Sequence, residues 1–262
     1  MKAITLLYHD VVKNNDYQSS GFQSSDADYY KLDENEFIAQ LDAIKAKYSY
    51  KAEDLTLLHK NEQNDIAFYI TFDDGGSSFL TTIASLLEAR GWLGIFFIST
   101  DYIGTPGFLI KEEIVELRKR GHVIGSHSCS HPKRISSCSY QELINEWKKS
   151  KEKLEIILGE EVETASVPGG FLSKDIEHSA AEVGYKSLFT SEPQKTIYEI
   201  DGCQIVGRYA VTRGTSATQV LALASKSLTI AQIWQYAYWN LKKFAKNNFS
   251  SLYARFRLRM RR

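Results

Sequence analysis

The sequence predicts a parallel α/β protein, either an open sheet or a closed barrel. Three observations carry that reading. Short β-branched and aromatic runs alternate with stretches whose apolar residues recur at three- and four-residue spacing. Glycines stand where those stretches end, at Gly91, Gly121, Gly159 and Gly184, as left-handed helix stops do. The 262 residues are 43% hydrophobic and 24% charged, proportions that fit one large globular domain and exclude disordered and fibrous classes. No run of 18 apolar residues occurs, so no spanning helix is expected.

In chain order, strands are predicted over 4–8, 66–72, 93–99, 122–126, 164–167, 186–189 and 204–206, each rich in Ile, Val, Phe, Tyr or Thr. Helices are predicted over 34–48, with Phe37, Leu41 and Ile44 on one face, and over 77–90, 111–120, 139–158 and 173–183. Residues 13–31 form a long polar loop. Its aromatics Tyr17, Phe22, Tyr29 and Tyr30 either face a sugar ring or hold the loop down, and the sequence leaves both open. Three cysteines, Cys129, Cys138 and Cys203, are too few for a disulfide scaffold. The first ten residues hold too short an apolar run for a signal-peptide core, so the expected location is cytoplasmic.

The net charge of zero hides an asymmetry. Asp201 is the last acidic residue, and the eleven Lys and Arg after it leave −11 on residues 1–201. A barrel over 1–215 followed by a helical basic tail over 216–262 is the expected organisation. Apolar residues at helical spacing (Ile230, Ile233, Trp234, Ala237, Tyr238, Leu241) precede Phe244, Phe249, Leu252, Tyr253, Phe256, Leu258 and Met260 interleaved with Lys and Arg. Such a segment suits peripheral contact with an anionic membrane at its inner face. A terminal helix packed on the barrel with a solvated basic end is the alternative. Nucleic acid is not an expected partner, because the body is acidic and carries no recognition motif.

In parallel α/β folds the chemistry sits at the carboxyl ends of the strands. Here those ends are His9-Asp10, Asp73-Asp74-Gly75-Gly76, His127-Ser128-Cys129-Ser130-His131-Pro132 and Pro168-Gly169-Gly170. His127 and His131 are four apart, a spacing that on one helical turn aims both imidazoles at a shared ion. With a carboxylate from another strand end they form a two-His, one-carboxylate set with open positions. Adjacent Asp73 and Asp74 diverge on an extended strand, so one can ligate while the other acts on water; the plain alternative is that one caps the helix near Ser77. Gly75 and Gly76 suit a tight strand-to-helix turn.

Thr71-Phe72-Asp73-Asp74-Gly75 followed by His127-Ser128-Cys129-Ser130-His131-Pro132 resembles the polysaccharide deacetylase family, carbohydrate esterase family four. The run Leu93-Gly94-Ile95-Phe96-Phe97-Ile98 is similar to the strand that family carries between those motifs, and the resemblance covers about residues 66–189. It implies a distorted (β/α) barrel of about seven parallel strands with extra C-terminal helices. It implies one divalent metal ion, usually zinc, held by Asp74, His127 and His131, with Asp73 as catalytic base. Pro168, Gly169 and Gly170 match the motif whose backbone N–H holds the oxyanion. The implied reaction is hydrolysis of an N-acetyl or O-acetyl group on a hexosamine-containing saccharide, work that belongs with cell-surface polysaccharide biosynthesis.

Two departures stand out. The arginine that orients the base in the family is Ser166 here, and the leucine-x-histidine motif that supplies its general acid is absent near the C-terminal end. Leu7-Tyr8-His9-Asp10-Val11 resembles the circularly permuted variant of the family found among enzymes acting on poly-N-acetylglucosamine, in which that histidine comes from the N-terminus. His9 is then the expected acid, and Arg208 the candidate replacement for the lost arginine. A buried structural role is the alternative for His9. His122 belongs at the opposite, stabilising face, and His59 and His178 are expected at the surface. Cys129 should point away from the ion, and Trp92, Trp147, Trp234 and Trp239 read as packing residues, with a sugar platform also open to Trp147. A non-catalytic carbohydrate binder, and a hydrolase of a lipid-linked sugar or other small amide, are the competing functions.

Overall fold

The computed structural model describes residues 1–50, 52, 55, 66–170 and 172–248. His59 and the tail beyond 248 lie outside the described residues. Eleven strands are seen among them: β1 (Ala3–Tyr8), β2 (Val11–Val12), β3 (Leu32–Asp33), β4 (Ala67–Phe72), β5 (Ile95–Ile98), β6 (Val123–Ser126), β7 (Thr164–Ser166), β8 (Ser187–Phe189), β9 (Tyr198–Ile200), β10 (Cys203–Val206) and β11 (Tyr209–Ala210). Nine form one sheet in the order β11-β1-β4-β5-β6-β7-β8-β10-β9. Every neighbour pair is parallel except β9 with β10. An antiparallel bridge from Lys2 to Thr196 ties the start of β1 to the segment before β9. The sheet is thereby curled into a half-barrel wrapped by helices, a distorted (β/α) barrel. All seven expected strands are present; β2, β3, β9 and β11, of two or three residues each, are additional.

Alternation along the strands sorts their side chains into two layers. Ile4, Leu6 and Tyr8 of β1, Phe68, Ile70 and Phe72 of β4, and Phe96 and Ile98 of β5 pack outward on helix residues such as Phe37, Leu41, Leu87 and Ile114. Ala3, Tyr69, Ile95, Phe97, Phe189 and Val206 pack inward on one another. Gly125 of β6 is small because a Cβ there would stand 2.6 Å from the Phe97 ring. Continued past the strand ends, this parity turns His9, Asp73 and His127 inward at the carboxyl rim. The same count on β7, where Ala165 faces out, turns Ser166 inward.

The helices follow local signals. Ser139 and Glu142 close a capping box at the start of Tyr140–Leu158, which ends at left-handed Gly159. The stretch expected as one helix over 77–90 is instead a π-helical turn, Phe79–Ile83, running into Ala84–Glu88. Its N-cap is Ser78, so neither Asp73 nor Asp74 caps it. Val220 and Leu223 of helix Ala217–Leu223 lie in the same buried cluster as the outward strand residues. Tyr50 donates to Ala224 O at 2.6 Å, and Gln40 to Thr215 O at 2.7 Å.

Candidate active site

Four strand ends meet at one rim. Asp74 follows β4 with φ +88, a left-handed turn that swings its carboxylate sideways from the strand. Its Oδ1 stands 3.5 Å from His127 Nε2 and 3.4 Å from His131 Nε2. All three ligand atoms lie within 4.8 Å of one another. Ligands about 2.0–2.2 Å from a tetrahedral ion stand roughly 3.3–3.6 Å apart, so the set fits a zinc-type cation. Two imidazoles and one carboxylate are also the donor types such an ion takes.

The loop that presents the histidines is not the helical turn expected. Ser128 (φ +62) and His131 (φ +52) are both left-handed, and no helix is assigned from 127 to 131. Glu146 holds the loop instead: its carboxylate accepts from the Cys129 and Ser130 N–H groups at 3.0 and 2.8 Å and from the Ser130 hydroxyl at 2.7 Å. The Cys129 thiol donates to Asp101 at 3.1 Å, away from the histidines.

Asp73 is buried, and Arg208 grips it with two hydrogen bonds of 2.7 and 2.8 Å. Arg208 is itself fully buried, anchored to Thr190 O at 2.9 Å and lying over the Phe97 ring. Burial alone would raise the Asp73 carboxyl; the positive charge of Arg208, with a smaller contribution from the neighbouring His127, outweighs it and holds it below the usual carboxylate range. Asp73 is therefore ionised at neutral pH. For Asp74, burial also pushes upward, and hydrogen bonds from His127 and His131 carry it well below that range.

Ser166 is the residue that sequence reasoning passed over. Its hydroxyl donates to Asp73 Oδ1 at 3.0 Å and stands 2.6 Å from His127 Nδ1. Because that hydroxyl proton is committed to Asp73, Nδ1–H donates to Ser166, and Nε2 is the atom turned to Asp74. The signal was available in the inward parity of β7. Arg208, reaching from the β10–β11 turn, and Ser166 thus share the ground of the family's single arginine.

His9 is partly open to solvent, with its ring 4.7 Å from that of Tyr30. Its Nδ1 is buried and makes no hydrogen bond among the described residues. Burial lowers its pKa; Asp74 and Asp73 pull the other way without prevailing. Pro168–Gly170 forms a turn just past Ser166, with Gly169 and Gly170 left-handed at φ +64 and +72. The loop over 13–31 folds over this rim: Phe22 lies 4.9 Å from the His131 ring and packs on Tyr102 and Phe108, while Tyr17 stacks under Arg213. It carries a short helix, Ser25–Asp28. Asp10, at the same strand end as His9, goes to this loop instead, accepting from Ser20 and Ser78 at 2.5 and 2.7 Å.

The remaining candidates sort simply. His122 is buried at the amino end of β6 against Gly94 N–H and Glu88. His178 is at the surface beside Asp201. Trp92 and Trp147 are core residues bonded to Tyr50 O and Ser179. Trp234, expected to pack, is 71% exposed.

Fold and rim chemistry together define a class, and comparison with known proteins agrees. Residues 60–188 match the family model described as polysaccharide deacetylase, so this stretch, nearly half of the chain, carries a polysaccharide deacetylase domain. The matched stretch holds Asp73, Asp74, His127, His131 and Pro168–Gly170 but neither His9 nor Arg208, which lie outside it. The chain is 33% identical over 117 residues to the peptidoglycan-N-acetylglucosamine deacetylase PgdA of Listeria monocytogenes, covering 44% of this chain and 23% of that one. Curated relatives are matched over less than two thirds of their own length. Solved structures share the fold, among them the two that follow. The deacetylase PplD of Streptococcus pyogenes superposes with a TM-score of 0.71 at 19% identity, covering 86% of this chain and 99% of that one. IcaB from Ammonifex degensii gives 0.68 at 20% identity, covering 85% and 97%.

Proposed function

We propose that the chain is a metal-dependent deacetylase that hydrolyses the N-acetyl group of a hexosamine-containing saccharide. The observation that carries this reading is the convergence of Asp74, His127 and His131 beside a buried, ionised Asp73. The domain match implies a hydrolase acting on acetyl groups, and the similarity to the peptidoglycan-N-acetylglucosamine deacetylase of Listeria supports an N-acetylhexosamine substrate.

Asp74, His127 and His131 would hold a divalent cation, most readily zinc, which supplies Lewis acidity for the acetyl carbonyl and a bound water acidified toward about pH 7. Asp73 accepts the proton of the attacking water, and Arg208 and Ser166 fix the carboxylate for that step. At the Pro168–Gly170 turn the Gly170 N–H is taken by Val167 O at 3.2 Å, so the Gly169 N–H is the donor that would meet the developing oxyanion; one such donor is worth about 3–4 kcal/mol. His9 gives a proton to the departing amine. Burial lowers the pKa of this imidazole while Asp74 and Asp73 work against the fall, and His9 is reprotonated from solvent, to which it is partly open, between turnovers.

Acetate release from an acetylated chito-oligosaccharide tests the reading. Release should require added zinc or a similar divalent ion and stop on chelation. Asp73→Asn and His9→Ala should each cut turnover by at least a hundredfold with metal content near wild type. A protein that binds the oligosaccharide and a full equivalent of cation without releasing acetate would be a carbohydrate-binding relative. Full activity in His9→Ala would return that histidine to a structural role.

A further inference from the structure

Helix Ile230–Asn248 is amphipathic in the reverse sense to one that covers a core. Its inward side is polar. Gln232 is buried and donates to Leu223 O and Ser225 O, both at 2.9 Å. Gln235 bonds Ala210 N–H and C=O at 3.0 and 2.8 Å, and Lys243 reaches Glu192 at 2.6 Å. The outward side carries Ile230, Ile233, Trp234, Leu241 and Phe244, exposed by 74, 50, 71, 66 and 60%. These positions, spaced by threes and fours around Ala237, share an arc of about 100°. Tyr236 and Tyr238 flank them.

A continuous apolar row of this kind marks an interaction surface. Charge identifies the partner. No acidic residue follows Asp201; Lys242 and Lys246, then Arg255, Arg257, Arg259, Arg261 and Arg262, are all positive, while Lys243 is paired with Glu192. Trp and Tyr at the margins of an apolar stripe are residues that settle at headgroup level. No helix among the described residues is long and apolar enough to cross a membrane, so the contact lies in the surface plane.

We propose that the outward face of this helix docks on an anionic phospholipid surface, with Ile233 and Leu241 among the upper acyl chains, Trp234 at headgroup level, and the excess positive charge of the sequence after Asp201 drawing the helix to anionic headgroups. The same helix brings Trp239 against the Pro168–Gly170 turn: a Cβ on Gly170 would stand 3.0 Å from Trp239 Cη2. Docking would therefore hold one rim of the candidate site beside the bilayer.

Sedimentation of the full chain with phosphatidylcholine vesicles, with and without phosphatidylglycerol, tests the proposal without reference to activity. Binding should be at least tenfold tighter to the anionic vesicles and should weaken as salt is raised. Trp234→Ser with Leu241→Ser should lose at least tenfold of that binding at an unchanged thermal midpoint, since both side chains are exposed. Trp234 emission should shift to the blue on vesicle addition. Equal binding by wild type and variant, or no preference for anionic vesicles, overturns the proposal. So does light scattering that shows a dimer which the variant dissociates, with no vesicle binding; the partner would then be a second copy.

Discussion

Ser166 illustrates how one hydroxyl can set the state of two neighbours. It orients the His127 ring and donates to Asp73, so in the proposed site its removal should be felt in cation affinity before it is felt in the fold. Partners of this kind are typically worth 10–100-fold in metal affinity or activity. Ser166→Ala should accordingly weaken zinc binding about tenfold or more in a competition titration, with little change in melting temperature. Unchanged affinity would mean that another group orients His127. Arg208 acts on Asp73 by charge. Arg208→Met removes one partner of a buried pair, a change costing about 3–5 kcal/mol. The sign of its pH effect follows from the cause of the shift. Arg208 depresses the Asp73 carboxyl, so activity needing ionised Asp73 persists into acid in the wild type. In the variant the acid limb of the kcat/KM profile should move to higher pH; an unmoved limb would separate Arg208 from the base.

At the scale of elements, the long loop over 13–31 and the turn after β4 are joined through Asp10. Ser20 and Ser78 both donate to its Oδ1, and a Cβ on Gly21 or Gly76 would collide with its carboxylate. Burial pushes this carboxyl up to about 6, against the lowering effect of the two hydroxyls. A folded-state pKa above the unfolded value near 3.9 means that the folded protein holds the proton more tightly. Stability then falls as pH rises from about 4 to about 6, by about 3 kcal/mol in all. Asp10→Asn keeps an oxygen able to accept from both hydroxyls and cannot ionise. Its stability relative to wild type should rise between pH 4.5 and pH 8 in urea titrations; parallel profiles would contradict this. Strands were the most legible elements, because Ile66 to Phe72 or Leu93 to Ser99 need only a period of two and a β-branched composition. The turns were not. The arc from His127 to His131 has helical spacing, yet two left-handed residues and a distant Glu146 carboxylate shape it, which no local count reveals. The π-turn at Phe79–Ile83 likewise satisfies a helical pattern while adding a residue to the turn.

Across the whole molecule, the site is assembled by a sheet in which β1 lies between β11, from late in the chain, and β4. That geometry brings His9 and Arg208 to a rim whose remaining groups fall within the family match. The motifs Asp73-Asp74 and His127-to-His131 were readable as chemistry because strand ends concentrate function on one face. The grip of Arg208 on Asp73 joins residues 135 positions apart, and only the closed fold makes it visible. The account depends above all on three side chains gripping one cation. Anomalous diffraction from crystals of the protein soaked in zinc measures this directly. It should show one strong peak about 2.0–2.3 Å from Asp74 Oδ1, His127 Nε2 and His131 Nε2, lost in His131→Ala. A peak elsewhere, or none at these three atoms with zinc in excess, would contradict the account.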